Sequence, residues 1–212
     1  MLIKHFKNVL YTIVVIASFY ANAGSFEDFF VALRNDNASA VSALLDRGFD
    51  PNTRDAKGQP GLTIAMQERA LKAASALLSR PATEVNALNQ AGESALMMSA
   101  LKGDLAGAQL LLDHGAKVNQ SGWAPLHYAA TGPDPRLVLL LLERGAEVDA
   151  ASPNGSTPLM MAAQYGSEDS VKLLLDRGAD PRRRNQLDQG VIDFARRAGR
   201  DALVKHLETL TR

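Results

Sequence analysis

The chain has 212 residues, 46% hydrophobic and only 6% aromatic, and its 23 basic and 23 acidic residues balance to a net charge of zero. Near-neutrality argues against nucleic acid, whose binders carry a basic stripe to meet phosphates. The absence of cysteine excludes thiol nucleophiles, disulfides and acylated lipoproteins.

At the N-terminus, Lys4 and Lys7 precede an apolar run from Val9 to Tyr20, and Ala21-Asn22-Ala23 then gives a small-x-small cleavage pattern. That run is too short to span a bilayer, which takes about 20 residues as a helix. Residues 1–23 therefore read as a secretory signal cleaved after Ala23, with an uncleaved anchor as the alternative. Removing it takes away two lysines and no acids, leaving 21 − 23 = −2. Export without cysteine suits a bacterial periplasmic or secreted protein.

Beyond the signal, a glycine following a Leu-Leu pair recurs at Gly48, Gly115, Gly145 and Gly178, with Pro81 in the place between the first two. The steps are 33, 34, 30 and 33 residues, and a fixed period of this size marks stacked supersecondary units. Such units bury their apolar faces against each other, so Ala and Leu suffice as core. Residues 24–212 read as one domain: an end unit at 26–51, repeats at 52–85, 86–118, 119–148 and 149–181, and a second end unit at 182–212.

In the clearest copy Thr157 is placed to cap a helix, Pro158 suits its first position, and Leu159 begins the apolar face. Ala162 and Ala163 keep the inner side thin, and Gly166 is expected to end the helix in a left-handed conformation. Val171, Leu174 and Leu175 form the stripe of a second helix stopped by Gly178, as Gly115 and Gly145 stop theirs. Phe29, Leu33, Val41, Leu44 and Leu45 are the expected contacts of the first end unit. Arg196, Arg197, Arg200 and Lys205 are the expected polar face of the last. Pro60-Gly61-Leu62 lacks both the cap and the proline, so the unit from Gly58 to Leu78 is predicted to be the softest interior part.

Pro125-Leu126-His127, Ala129-Ala130 and Gly145-Ala146-Glu147-Val148-Asp149, with Gly115-Ala116-Lys117-Val118-Asn119, resemble the ankyrin-repeat family over residues 26–212. The resemblance implies an all-α solenoid of stacked antiparallel helix pairs with projecting β-turn fingers. It also implies that His127 bonds the turn backbone, and that a partner lies across the concave side. By register that side takes Gln67, Glu68, Leu101, Lys102, Gln164 and Tyr165 from the first helices. Lys57, Gln90, Ala91, Glu93, Ser121, Trp123, Asn154 and Ser156 come from the turns.

A search for chemistry returns little. The chain has no Gly-x-Ser-x-Gly elbow, no phosphate loop and no His-Glu-x-x-His helix, and no cofactor or metal is expected. Its four histidines, His5, His114, His127 and His206, lack the close pairing of metal ligands. Tyr128 and the methionines Met97, Met98, Met160 and Met161 read as core filling. Arg182, Arg183 and Arg184, with the end-unit arginines, read as a solvated face, with a site for an acidic partner as the alternative.

One irregularity stands out. Asn119-Gln120-Ser121-Gly122 has three fewer residues than Asn86 to Gly92 or Asp149 to Gly155, so one finger must be shortened and a notch opened beside Trp123. The indole either meets a partner, as exposed Trp often does, or folds down over the gap. The resulting expectation is a monomeric, non-catalytic periplasmic scaffold that binds a folded protein through its concave face, such as an exported enzyme it stabilises or a toxin it neutralises. The alternatives are an accessory enzyme or a ligand- or metal-binding protein, and a secreted effector acting on host proteins.

Overall fold

The computed structural model describes residues 24–211, so the predicted signal segment lies outside the described residues. Residues 24–34 are helical and are called α1. The remaining helices are α2 (Ala38–Asp46), α3 (Gly61–Gln67), α4 (Leu71–Leu78), α5 (Ala95–Lys102), α6 (Leu105–Asp113), α7 (Pro125–Thr131), α8 (Pro135–Glu143), α9 (Pro158–Tyr165), α10 (Glu168–Asp176), α11 (Val191–Arg197) and α12 (Asp201–Leu210). An inner row packs as α3, α5, α7, α9 and α11, and an outer row as α2, α4, α6, α8 and α10. Among the described residues the only strand-like pairings are two isolated bridges, Arg54 with Pro60 and Arg184 with Gly190, each across the base of a finger. The protein is an all-α repeat solenoid.

Local chemistry explains the inner helices. Thr157 Oγ1 accepts from Met160 N at 3.4 Å, and Ser94 Oγ from Met97 N at 3.3 Å. The following Met sulfur accepts the cap's own N–H at 3.4 Å in both, a weak thioether version of a capping box. In α7 the cap is Ala124, and His127 Nδ1 accepts its N–H at 3.1 Å. In α11 Asp193 accepts from Gly190 N at 2.8 Å. Only α3, which starts at Pro60 and Gly61, has no side-chain cap. Its glycine is a packing requirement, because a Cβ there would lie 3.0 Å from the Phe29 ring. The helix after it, α4, has no cap of its own, but Asp36 in the preceding unit accepts Ala73 N at 2.8 Å.

Gly115, Gly145 and Gly178 follow the outer helices at φ of +85°, +86° and +91°, the left-handed region that favours glycine. Gly166 corrects the expectation set for it. Its backbone is extended, at φ −87° and ψ −179°, a conformation any residue adopts. It is glycine because a Cβ would meet Ala130 O at 2.1 Å. Gly132 repeats the device one unit earlier, with Ala100 O at 2.6 Å. These two glycines, with fully buried Ala129, Ala130, Ala162 and Ala163, let α5, α7 and α9 approach almost backbone to backbone.

A second ladder ties the bases of the fingers. Asn52, Asn86 and Asn119, each at the start of a repeat, donate an amide to a carbonyl near the end of the same repeat, where the next finger begins, at 2.8, 3.1 and 2.8 Å. Each also accepts a backbone N–H there, at 2.8, 2.7 and 3.0 Å. The following rung is Asp149, which can only accept, from Asp180 N at 3.2 Å.

The end units close the stack differently. At the first, Phe26, Phe29, Phe30 and Phe49 interlock with centroids 4.7–5.3 Å apart, and Phe29, Leu33, Val41, Leu44 and Leu45 are buried. At the last, Arg196 and Lys205 are exposed, and the Arg197 guanidinium lies 5.2 Å from the Phe194 ring. Arg200 departs from the expected solvated face. It is half-buried, and its Nη1 donates to Ala162 O, Ala163 O and Gly166 O at 3.0–3.1 Å. It thereby bonds the carbonyls at the C-terminus of α9 with a favourable charge.

Candidate protein-binding face

Four of the five fingers close with the same pair of backbone bonds. Asp55 N to Gln59 O, Asn89 N to Glu93 O, Ser152 N to Ser156 O and Asn185 N to Gln189 O span 2.9–3.0 Å, each with a tighter turn bond inside it. The third finger, 119–123, has neither bond. Gln120 instead reaches sideways to Gly92 O at 3.2 Å. The shortening read from the sequence thus removes a whole turn tip.

Trp123 sits where that tip is missing. It is half-buried, its indole edge-to-face on the His127 ring at 5.2 Å and 77°. It neither fills the gap nor stands free of it. A cavity of about 210 Å³ remains, lined by Leu101, Trp123, His127, Tyr128, Thr131 and Met161.

His127 forms the floor of this notch and is 1% exposed. The Ala124 N–H can only donate, so Nδ1 is the acceptor and the proton sits on Nε2, which donates to Ser156 O at 3.1 Å. The neutral ring therefore joins the start of α7 to the fourth finger. Burial holds its pKa below 6.5, partly offset by the backbone bonds.

Tyr128 is half-buried, with its ring against the core and its hydroxyl donating to Glu93 Oε1 at 3.0 Å. Burial, then the Glu93 carboxylate, push its pKa far above the ordinary tyrosine value. Asn89 Nδ2 donates to the other Glu93 oxygen at 2.8 Å, so that carboxylate is occupied on both sides. Met97, Met98 and Met160 are buried as core filling, whereas Met161 reaches the notch.

The predicted contact residues divide. Leu101 and Tyr165 are 40% and 61% exposed, and Glu68, Lys102, Ser121 and Asn154 are also exposed. Gln164 is half-buried and donates to Tyr165 Oη at 2.9 Å. Gln67 turns inward, with Nε2 3.5 Å from Met98 Sδ. Asn154 is partly structural, its Oδ1 accepting from Ser152 Oγ at 2.7 Å and Ser156 N at 3.2 Å. Ser156, expected at the surface, is 1% exposed because His127 and Asn185 bond it from either side. Thr131 and Met161 were missed, since their positions read as packing until the missing finger uncovers them. Leu88 and Leu187, 41% and 70% exposed on the second and fifth fingers, carry no motif that would have marked them.

The arginine run is largely engaged. Arg183 pairs with Asp149 at 3.5 Å and Arg184 bonds Asp188. No three His, Asp or Glu side chains among the described residues are grouped to hold a metal ion. No helix among them is long and apolar enough to cross a membrane.

The family model described as ankyrin repeats, in three copies, matches residues 29–121, 74–152 and 118–185. The chain belongs to the ankyrin-repeat family. Among curated ankyrin-containing relatives, the chain is 33% identical over 158 residues to the nuclear factor NF-kappa-B p105 subunit of Gallus gallus, 71% of this chain and 16% of that protein. It is 28% identical over 159 residues to transient receptor potential cation channel subfamily A member 1 of Homo sapiens, 70% of this chain and 14% of that one. The chain thus spans under a fifth of the length of either. Among solved structures, a chain of the Bd0816 predatory endopeptidase from Bdellovibrio bacteriovorus in complex with immunity protein Bd3460 superposes with a TM-score of 0.75. It is 24% identical, and the match covers 86% of this chain and 97% of that one. Ankyrin repeats mark the protein as an interaction scaffold.

Proposed function

We propose that this ankyrin domain is a non-catalytic scaffold, exported to a bacterial periplasm by residues 1–23, that holds a folded exported enzyme against its concave face. The observation that carries the reading is the exposure of Leu101 and Tyr165, at 40% and 61%, on the inner-row helices beside an open notch. Two large apolar groups left in solvent on a groove are the kind of surface that a partner desolvates. The solved complex that pairs an endopeptidase with an immunity protein supports an enzyme as the class of partner.

The test is co-purification after crosslinking in the producing cells, using the full chain with a C-terminal tag. Leu101→Arg with Tyr165→Arg should reduce the captured partner at least tenfold, while Lys72→Glu on the exposed side of outer helix α4 leaves it unchanged. Equal loss, or no loss, in the two variants would overturn the concave-face reading. N-terminal sequencing of the same material should start at Gly24, and a start at Met1 would overturn the cleaved signal.

A further inference from the structure

The notch has a size and a polarity that specify what enters it. Its volume of about 210 Å³ is below the 300–1,000 Å³ of ordinary small-molecule and cofactor sites and matches one large apolar side chain. Its wall is the Leu101, Trp123, Tyr128 and Met161 side chains.

The rim offers hydrogen-bond donors and no unengaged carboxylate. Among the described residues the indole N–H of Trp123 has no hydrogen-bond partner, and Lys102, next to Leu101, has no carboxylate within ion-pair distance. Tyr165, one turn beyond Met161 on α9, accepts from Gln164 and keeps its own hydroxyl hydrogen available. Both oxygens of the nearby carboxylate, Glu93, are taken by Tyr128 and Asn89. An incoming group therefore finds an apolar socket with a positive, donating edge, and the complementary group is anionic.

Resting on the concave-face reading above, we infer that the notch seats one protruding Leu, Met or Phe side chain of a partner loop, with an Asp or Glu beside it held at the rim. The third finger is short because a full turn tip would occupy the space this loop needs.

The sole tryptophan reports the event directly. The wild-type protein is titrated with disulfide-closed hairpin peptides displaying Leu-Glu, Ala-Glu or Leu-Lys at the turn, and with octanoate, while Trp123 emission is followed. The Leu-Glu hairpin should shift the emission saturably and bind at least tenfold tighter than the other two hairpins and octanoate. Thr131→Met, which fills the cavity, should weaken it at least tenfold. Lys102→Glu, at an exposed position that folding tolerates, should weaken Leu-Glu while sparing Leu-Lys.

Equal binding of the three hairpins, or no saturable shift, would overturn the inference. Tighter binding of octanoate would also overturn it, in favour of a small-ligand pocket. If the captured partner is lost with Leu101→Arg and Tyr165→Arg but kept with Thr131→Met, the concave face stands and the notch assignment falls.

Discussion

Replacing Gly166 by Ala isolates the close approach on which the inner row depends. The backbone there is extended, at φ −87° and ψ −179°, so alanine incurs no conformational strain. The cost comes from the added carbon, 2.1 Å from Ala130 O and 3.0 Å from Ala162 Cα, where an unstrained C···O contact is about 3.3 Å or more. The obstacle is backbone on α7, which cannot rotate aside as a side chain would, so α9 must move away by about 1 Å. Overpacking of this kind costs about 1–3 kcal/mol. The shift also pulls on the Arg200 bonds to Ala162, Ala163 and Gly166, which puts the expected loss at about 3 kcal/mol. For a body of this size that lowers Tm by roughly 6–12 °C. Two other glycines serve as controls in the same thermal and urea unfolding series. Gly145→Ala has φ +86° and nothing within 4 Å of the new carbon, so only its left-handed backbone is penalised, by about 1 kcal/mol. Gly190→Ala is extended, with its closest neighbour at 3.5 Å, and should cost about 0.5 kcal/mol as a weakened cap. A Gly166→Ala protein as stable as Gly190→Ala would refute the backbone-contact argument.

Three further outcomes follow from the same chemistry. His127 is buried and neutral with its pKa held below 6.5, so its share of stability is complete above that pH and is lost as pH falls through the folded value. His127→Met, the residue that repeats two and four use at this place, should flatten the stability profile between pH 7 and 5 in urea melts and lower stability at pH 7 by about 1 kcal/mol for the lost bond to Ser156 O. Asp149→Asn should complete the amide ladder by adding a donor toward the base of the next finger and removing a carboxylate whose pKa burial has raised. We expect about 0.5–1 kcal/mol of stabilisation at pH 7, shrinking as pH falls into the carboxyl range, and calorimetry against pH checks both. Hydrogen exchange should find the amides of α3 less protected than those of α9, since α3 is uncapped and buries the Thr63 hydroxyl without a partner.

Much of the fold was legible because each repeat writes its own punctuation. Thr157, Ser94, Pro158 and the closing glycines have local reasons for their identity, and local reasons survive without tertiary context. What failed was long-range. Gly166 does end α9, but it is glycine because of an atom 36 residues earlier in the chain and not because of the left-handed conformation its local context suggests. Arg200 appeared to be one of several surface charges, yet it caps a helix in the preceding unit. Register places Ser156 at the surface, and its burial depends on His127 and Asn185 arriving from neighbouring units.

The candidate site shows the same division. The deletion at 119–122 predicts a notch by counting alone, and the cavity lies beside Trp123 as expected. That Thr131 and Met161 line it, and that Tyr128 gives its hydroxyl to Glu93, depends on where three units meet. Position within one repeat cannot supply that.

Hydrogen exchange of the full chain with and without its crosslink-identified partner locates the binding face. Exchange is expected to slow in residues 99–102, 120–131 and 158–165, with α6, α8 and α10 unchanged. Protection confined to the outer helices, with the Trp123 notch exchanging as before, would contradict binding through the concave face.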